Sequence, residues 1–549
     1  VRWRLEPKDE DVEKYKRGEL VEPKKQIVYY IDPATPKKWV PYLIQGVNDW
    51  QKAFEQAGFK NAIVAKEAPV DDSTWSIDDA RNSAIVYKPS SIANASGPNV
   101  HDPRSGEIIE SHINWYHNVM ELVRNWYFIQ ASVIDPRARM MEFSDELMGQ
   151  LIRFVSSHEV GHTLGLRHNY GSSSTVPVEK LRDQKWLDQH GHTPSIMDYA
   201  RFNYVAQPED KINPNGIYPH IGEYDRWAIE WGYRWLPQFE KADDETPYLT
   251  KLVSDSLAAN PRLFFGTETD PNDPRNQNED LGNNAMVASA YGIKNLKRII
   301  PNILSWTKES NKGYENASTI YKEVVAQYNR YLGHVSKYVG GIETTPSVVE
   351  QKQTVYTYTS KQKQKEAVQF LQTQLFTTPK WLIDKDLFSL IGTNQVTTIT
   401  GLQKATLTRL LNSRTLNNLV QFEMNDPAKA YTVAELLTDL KSGIWSELKA
   451  NQPIDIYRRN LQKAYTETLI SLIKPPATPA NQGNISFGQF GGGSSQSIND
   501  NDIISNLKSH ARSLMNETKA AIPFAKDAQT KMHLQDVSDR LKNALDPRI

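Results

Sequence analysis

Cysteine is absent from the 549 residues. Its absence excludes a disulfide scaffold, a thiol nucleophile, thiolate metal ligands and a cysteine-based latency switch. It leaves the compartment open, since many exported bacterial proteins also avoid thiols. Long apolar runs are missing as well: no stretch approaches the roughly 18 apolar residues that cross a bilayer, which excludes a helical membrane-spanning protein. Neither sign of charge prevails, because 64 Lys and Arg against 65 Asp and Glu leave a net charge of −1. A nucleic-acid partner is therefore not expected, as phosphate binding calls for a basic excess. An initiator Met and a leader are also lacking, the chain opening Val1-Arg2-Trp3-Arg4. The expectation is a trimmed chain whose targeting signal lies upstream.

What is present suffices for substantial cores. Hydrophobic residues make up 39% and charged residues 23%, with a mean hydropathy of −0.59, as in soluble globular chains. At about 150 residues per domain the length suggests three or four domains. Residues 1–25 are charged and read as a surface arm. Residues 26–32 read as a strand, rich in β-branched and aromatic side chains, and Pro33 and Pro36 end it. Trp39, Leu43, Val47, Trp50 and Phe54 recur at helical spacing, with Gly58 as C-cap. Residues 61–68 and 83–87 are further strands, so the chain opens as an α/β domain. A turn at 101–106 precedes 107–115, whose alternation predicts a sheet strand at an edge.

Ser144, Asp145 and Glu146 supply the cap and first-turn acids of a helix striped by Leu147, Leu151, Phe154 and Val155. That stripe runs on into His158 and His162. Two histidines four apart project from one helix face, a spacing that suits a tetrahedral zinc ion. Glu159 beside the first can act as general base on a water at the metal. Gly165 can take a positive φ and turn the chain, bringing His168 back as a third ligand. The Gly and the third His at these offsets raise the pattern well above a bare HExxH. One catalytic Zn²⁺ is the expected cofactor.

Downstream stands Thr193-Pro194-Ser195-Ile196-Met197-Asp198-Tyr199. The long histidine motif followed by this Met-containing turn resembles the metzincin clan of zinc peptidases. The resemblance implies that Met197 forms a hydrophobic floor under the three histidines. It also implies that Tyr199 ligates zinc at rest and swings to steady an oxyanion. The segments 167–170, 195–201, 203–204, 224–225, 231–233, 279–283 and 291–296 are further similar to the large bacterial zinc-dependent metalloproteases of Met-zincin type. That similarity runs from about Ile27 onward. It implies an α/β (α+β) metzincin-like catalytic domain with a twisted mixed sheet and a zinc-binding helix, followed by a mainly α-helical C-terminal region. It also implies export to the periplasm, the outer membrane or the exterior.

The expected activity is hydrolysis of peptide bonds by a zinc-activated water, with Glu159 as base and a peptide or protein as substrate. An edge strand at 107–115 would pair with an extended peptide through Ile109, Ser111 and Ile113. Two alternatives share the metal motif: a zinc amidase acting on glycopeptide material, and a zinc-containing binding protein without catalysis. Glu179 or Glu223 would be a carboxylate ligand in a gluzincin-type site, which His168 makes unnecessary. The oxygen-rich segment 270–280 is a candidate for Ca²⁺, although its spacing matches no EF-hand and a rigid polar turn explains it equally. His117, His190, His192 and His220 lack ligand spacing and read as loop histidines.

The resulting partition is an arm at 1–25, the catalytic domain at 26–235, a connector at 236–300 and a helical region at 301–549. In the last, Ile320, Val324, Tyr328, Tyr331, Val335 and Val339 form a stripe that ends at Gly340-Gly341. Further helices are predicted at 363–376, 402–411, 433–440, 456–473, 502–517 and 525–545. A flexible Gly/Ser loop is predicted at 475–497. Oligomeric state carries no signal in the sequence.

Overall fold

The computed structural model describes residues 1–69, 71–268, 270–474 and 501–546; the loop expected at 475–497 lies outside them. The first 25 residues are not a solvated arm. Trp3, Leu5 and Val21 punctuate the charges, and all three are buried. The Arg2 N–H donates to the Gly106 carbonyl at 3.0 Å, and the Ile108 N–H to the Arg2 carbonyl at 2.8 Å. The Trp3 indole N–H donates to the Thr163 carbonyl at 3.0 Å. A short helix α1 (Val12–Lys16) follows.

Strand β1 (Ile27–Ile31) alternates buried with half-buried residues, so Ile27, Tyr29 and Ile31 share the core face. The predicted single helix breaks into α2 (Val40–Asn48) and α3 (Gln51–Gln56), yet Leu43, Val47, Trp50 and Phe54 are all buried. β2 (Ile63–Glu67) and β3 (Ser83–Lys88) flank β1 in parallel. Then come β4 (Ala95–Ser96), β5 (Val100–His101), β6 (Ile108–Glu110) and β7 (His112–Tyr116). The main sheet has five strands in the order β2-β1-β3-β7-β4. Only β4 runs antiparallel to its neighbour. This is the mixed α/β architecture that the sequence predicts, followed by a mainly helical region.

The strand expected at 107–115 is two strands. The chain turns at Ser111, so β6 pairs with β5 while β7 inserts between β3 and β4. Of the three residues assigned to peptide docking, Ser111 and Ile113 are buried and Ile109 alone is exposed. The Ser111 hydroxyl is spent on the Pro98 carbonyl at 2.5 Å. Among the described residues the edge next to β7 is β4, two residues too short to show alternation.

Helix α4 (Val119–Ala131), which the sequence reading passed over, leads to α5 (Asp145–Thr163). Ser144 caps α5 by accepting the Leu147 N–H at 3.2 Å. The far end is gripped too: the Tyr29 hydroxyl donates to the Thr163 hydroxyl at 2.7 Å, and the Tyr233 hydroxyl to the Leu164 carbonyl at 2.9 Å. α6 (Gln184–His190) and α7 (Glu223–Tyr233) follow.

The chain divides into two compact units, Val1–Pro271 with Arg275–Val324, and Asn272–Pro274 with Val325–Ile549. The division falls inside the helix Glu315–Ser336, not at 235 or 300. Residues 285–299 belong to the first unit because Asn295 donates to the Tyr204 and Ala206 carbonyls at 3.0 and 2.9 Å. In the second unit Ile456–Ile473 is the predicted helix, and Val433–Ile444 extends its prediction by one turn. Ser413–Asn425 is a helix that was not predicted. Arg458 is its buried hub, donating to the Gly443 and Ile444 carbonyls at 2.8 Å each and pairing with Glu447.

Trp3→Ala is expected to destabilise the first unit by about 3 kcal/mol, through lost burial and an orphaned Thr163 carbonyl. Chemical denaturation of the two proteins measures it; a change under 1 kcal/mol would return these residues to the surface.

Candidate metal centre

The helical repeat of α5 sets His158 and His162 one turn apart, and Gly165 ends the helix at φ +88°. The Leu166 N–H closes the turn on the Gly161 carbonyl at 3.1 Å. His168 then comes back against the helix. Its ring lies 5.4 Å from that of His158 and 4.6 Å from that of His162. One nitrogen from each of the three falls within 4.8 Å of the others, and this is the only such group among the described residues.

Backbone carbonyls decide which nitrogens are free. His158 Nδ1 lies 2.9 Å from the Ile196 carbonyl and His162 Nδ1 lies 3.0 Å from the Leu166 carbonyl. A carbonyl only accepts, so both Nδ1 atoms carry the proton and both Nε2 atoms present lone pairs. His162 Nε2 and His168 Nε2 stand 3.2 Å apart. Nitrogens at 2.0–2.1 Å from a tetrahedral zinc lie about 3.3 Å apart, so this donor set fits that ion. Burial keeps the rings neutral. It holds His158 well below its ordinary value, lowers His162, and brings His168 down to about 4 with help from the neighbouring His162.

Beneath the histidines, Met197 is fully buried in a turn capped by Ser195. A Cβ at Gly161 would stand 2.3 Å from the Met197 sulfur, so the glycine lets that side chain lie directly on the helix. The Met197 carbonyl accepts the Asn169 N–H at 2.8 Å, beside His168. Asp225 supports the turn from below, accepting the Ser195 hydroxyl, the Ile196 N–H and the Gly222 N–H at 2.6, 2.7 and 2.8 Å. Asp198 accepts the Thr193 hydroxyl at 2.6 Å and the Ser173 N–H at 2.9 Å.

Glu159 is 8% exposed. Burial raises its carboxyl to about 7, against the pull of Arg201 and of the Gly97 N–H that donates to it. A Cβ at Gly97 would meet the Glu159 carbonyl oxygen at 2.3 Å, so the end of β4 lies directly on α5. Tyr199 takes a left-handed φ of 64°. Its ring is 5.3 Å from that of His158 and 4.7 Å from that of His168. Tyr170 stacks on His168 at 5.4 Å.

The other candidates stand elsewhere. Glu223 accepts from Asn260 at 2.9 Å and pairs with Arg262, while Glu179 accepts from the Tyr291 hydroxyl at 3.2 Å. His192 and His220 bond the Arg201 and Asn215 carbonyls, each at 3.0 Å. His190 packs on Trp186, and His117 bonds the Tyr87 hydroxyl. In the segment 270–280, Asp273 accepts the Thr344 N–H at 2.8 Å and Glu279 faces Arg201 at 3.7 Å. The sequence reading missed β4, Tyr170 and Arg201 as parts of this site. Tyr170 and Arg201 each sit two residues past a named site residue, a position that periodicity does not flag.

A family model described as Met-zincin matches residues 140–452. No curated protein and no solved structure matches the chain.

The Glu159 carboxyl sits near 7 in the fold against an ordinary 4.5, so its contribution to stability is complete below 4.5 and lost as pH rises through about 7. Metal-free Glu159→Gln, which cannot ionise, is expected to exceed the wild type in stability by on the order of 2 kcal/mol at pH 8. The gap should close by pH 4.5. Denaturation curves across that range measure it, and a gap independent of pH would remove the raised carboxyl.

Proposed function

The chain belongs to the Met-zincin family, and a zinc metallopeptidase is what that family supports; from this premise we propose that it cuts peptide bonds within chains, with His158, His162 and His168 as zinc ligands and Glu159 as general base. The observation that carries the proposal is a buried carboxyl near neutrality beside three neutral histidines, two of them held with Nε2 free. When bound, zinc supplies a Lewis acid for the scissile carbonyl and lowers the pKa of a water towards neutrality.

The protein's own groups then divide the work. The Ile196 and Leu166 carbonyls hold two ligand rings in the tautomer whose Nε2 can donate a lone pair. Glu159 takes a proton from the attacking water and returns it to the leaving amine, a task matched to a carboxyl near 7. The Tyr199 phenol donates to the oxygen that gains charge. An extended peptide adds as a further strand along the outer edge of β4, in place of the docking strand first expected at 107–115. The Gly97 N–H, at the end of that edge, ties the strand to Glu159.

Mass-spectrometric cleavage profiling of a mixed peptide library tests the reading, with zinc-loaded wild type beside Glu159→Ala and His162→Ala. Glu159→Ala is expected to keep one zinc per chain and lose at least ~10²-fold in cleavage. His162→Ala is expected to lose the zinc. Internal cuts made by wild type alone support an endopeptidase. Near-wild-type cleavage by Glu159→Ala rejects the base, and full zinc in His162→Ala rejects the ligand. Purified glycopeptide cut in place of peptides would turn the assignment to an amidase.

A further inference from the structure

Arg201 is a buried cation that finds its company in ring faces. Its guanidinium carbon lies 3.3 Å from the centre of the Trp126 ring and 3.9 Å from that of Tyr199. Its side chain is 8% exposed, and its Nε has no hydrogen-bond partner. The Glu279 carboxylate stands 3.7 Å away. Glu279 also reaches Tyr199 directly, its N–H donating to the Tyr199 carbonyl at 3.0 Å. One residue beyond Arg201, the Phe202 N–H donates to the Gln130 side chain at 3.0 Å.

The backbone here is strained. Tyr199, Arg201 and Glu279 all take left-handed φ values, 64°, 60° and 58°. Each such residue costs of order 1 kcal/mol and persists only where its surroundings over-determine it. The conformation at 199 and 201 puts two consecutive odd-numbered side chains in stacking contact, and one of them lies against the ligand rings.

We infer that Arg201 is a positioning residue, gripped by Trp126 and holding the Tyr199 ring against His158 and His168. The inference rests on the proposed role of Tyr199 at the oxyanion. Stacking needs a flat cation, so lysine is a poor replacement at this position. Arg201 touches no reacting atom, and its effect on the reaction passes through Tyr199.

The test places 3-fluorotyrosine at position 199 and follows its ¹⁹F resonance in metal-free and zinc-loaded protein. The wild type is expected to show one sharp resonance. Arg201→Met and Trp126→Leu are both expected to shift and broaden it while zinc stoichiometry stays at one per chain. In the cleavage assay both variants should lose about tenfold in kcat with KM within twofold. Arg201→Lys should recover only part of that loss. Arg201→Met combined with Tyr199→Phe should be no slower than Tyr199→Phe alone, since both changes act through one ring. An unchanged ¹⁹F resonance in both variants overturns the inference, as do rate losses that multiply in the double variant. If Arg201→Met does not fold, Trp126→Leu carries the same readout with the cation retained. If no form cleaves any peptide, the functional reading fails, while the ¹⁹F signal still decides the positioning.

Discussion

The hydrogen bond from His158 Nδ1 to the Ile196 carbonyl, 2.9 Å long, joins two parts of the chain separated by 38 residues. It fixes the His158 tautomer and locks the turn at 195–198 to helix α5. The rest of the site hangs from that turn. The Ile196 N–H, on the other side of the residue, goes to Asp225, and the next carbonyl, of Met197, takes the Asn169 N–H beside His168. First and third histidines are thus held by adjacent residues of one turn. Asp225 is fully buried with its carboxyl raised to about 6 by that burial, and it accepts three hydrogen bonds. A buried polar network of this kind specifies one arrangement only when it is complete. Loss of any donor leaves a costly orphan and loosens the turn.

Close approach is the second constraint. Two glycines bring chain segments close at α5: Gly161, within the helix, faces the Met197 sulfur, and Gly97 lies over the Glu159 carbonyl, where the helix backbone leaves no room for a side chain. The first lets the Met197 side chain lie against the helix between His158 and His162. The second lets the short edge strand β4 settle on the helix, so its backbone reaches the Glu159 carboxylate.

Legibility in the sequence followed the physics of each feature. The histidine helix was plain because its apolar stripe and its two histidines share one period within α5, with Ser144 as its cap. The third histidine was legible because Gly165 marks where the helix must end. The single strand expected at 107–115 proved to be two because alternation there masks the turn at Ser111, while β4 has two residues and no pattern to read. Trp3 and Leu5 escaped notice because charges on either side of them swamp a two-residue apolar signal. Arg201 was unreadable for a different reason. Its contacts come from α4, which was itself missed, and from a left-handed backbone that no side-chain pattern announces.

Burial pushes the three histidines and Glu159 towards their uncharged forms, the histidines down and Glu159 up. A cleft left to burial alone would hold a protonated, inert carboxyl. Arg201 acts against that outcome on Glu159 and with it on the imidazoles. Its charge is the smaller pull in each case: burial comes first, and Arg201 lowers the Glu159 carboxyl against it while adding slightly to the lowering of His158 and His168. A carboxylate closer to the histidines would attract the metal more strongly but would raise the imidazoles and compete as a ligand. The Tyr199 ring, lying against both Arg201 and the rings of His158 and His168, is the contact through which that cation meets the cleft.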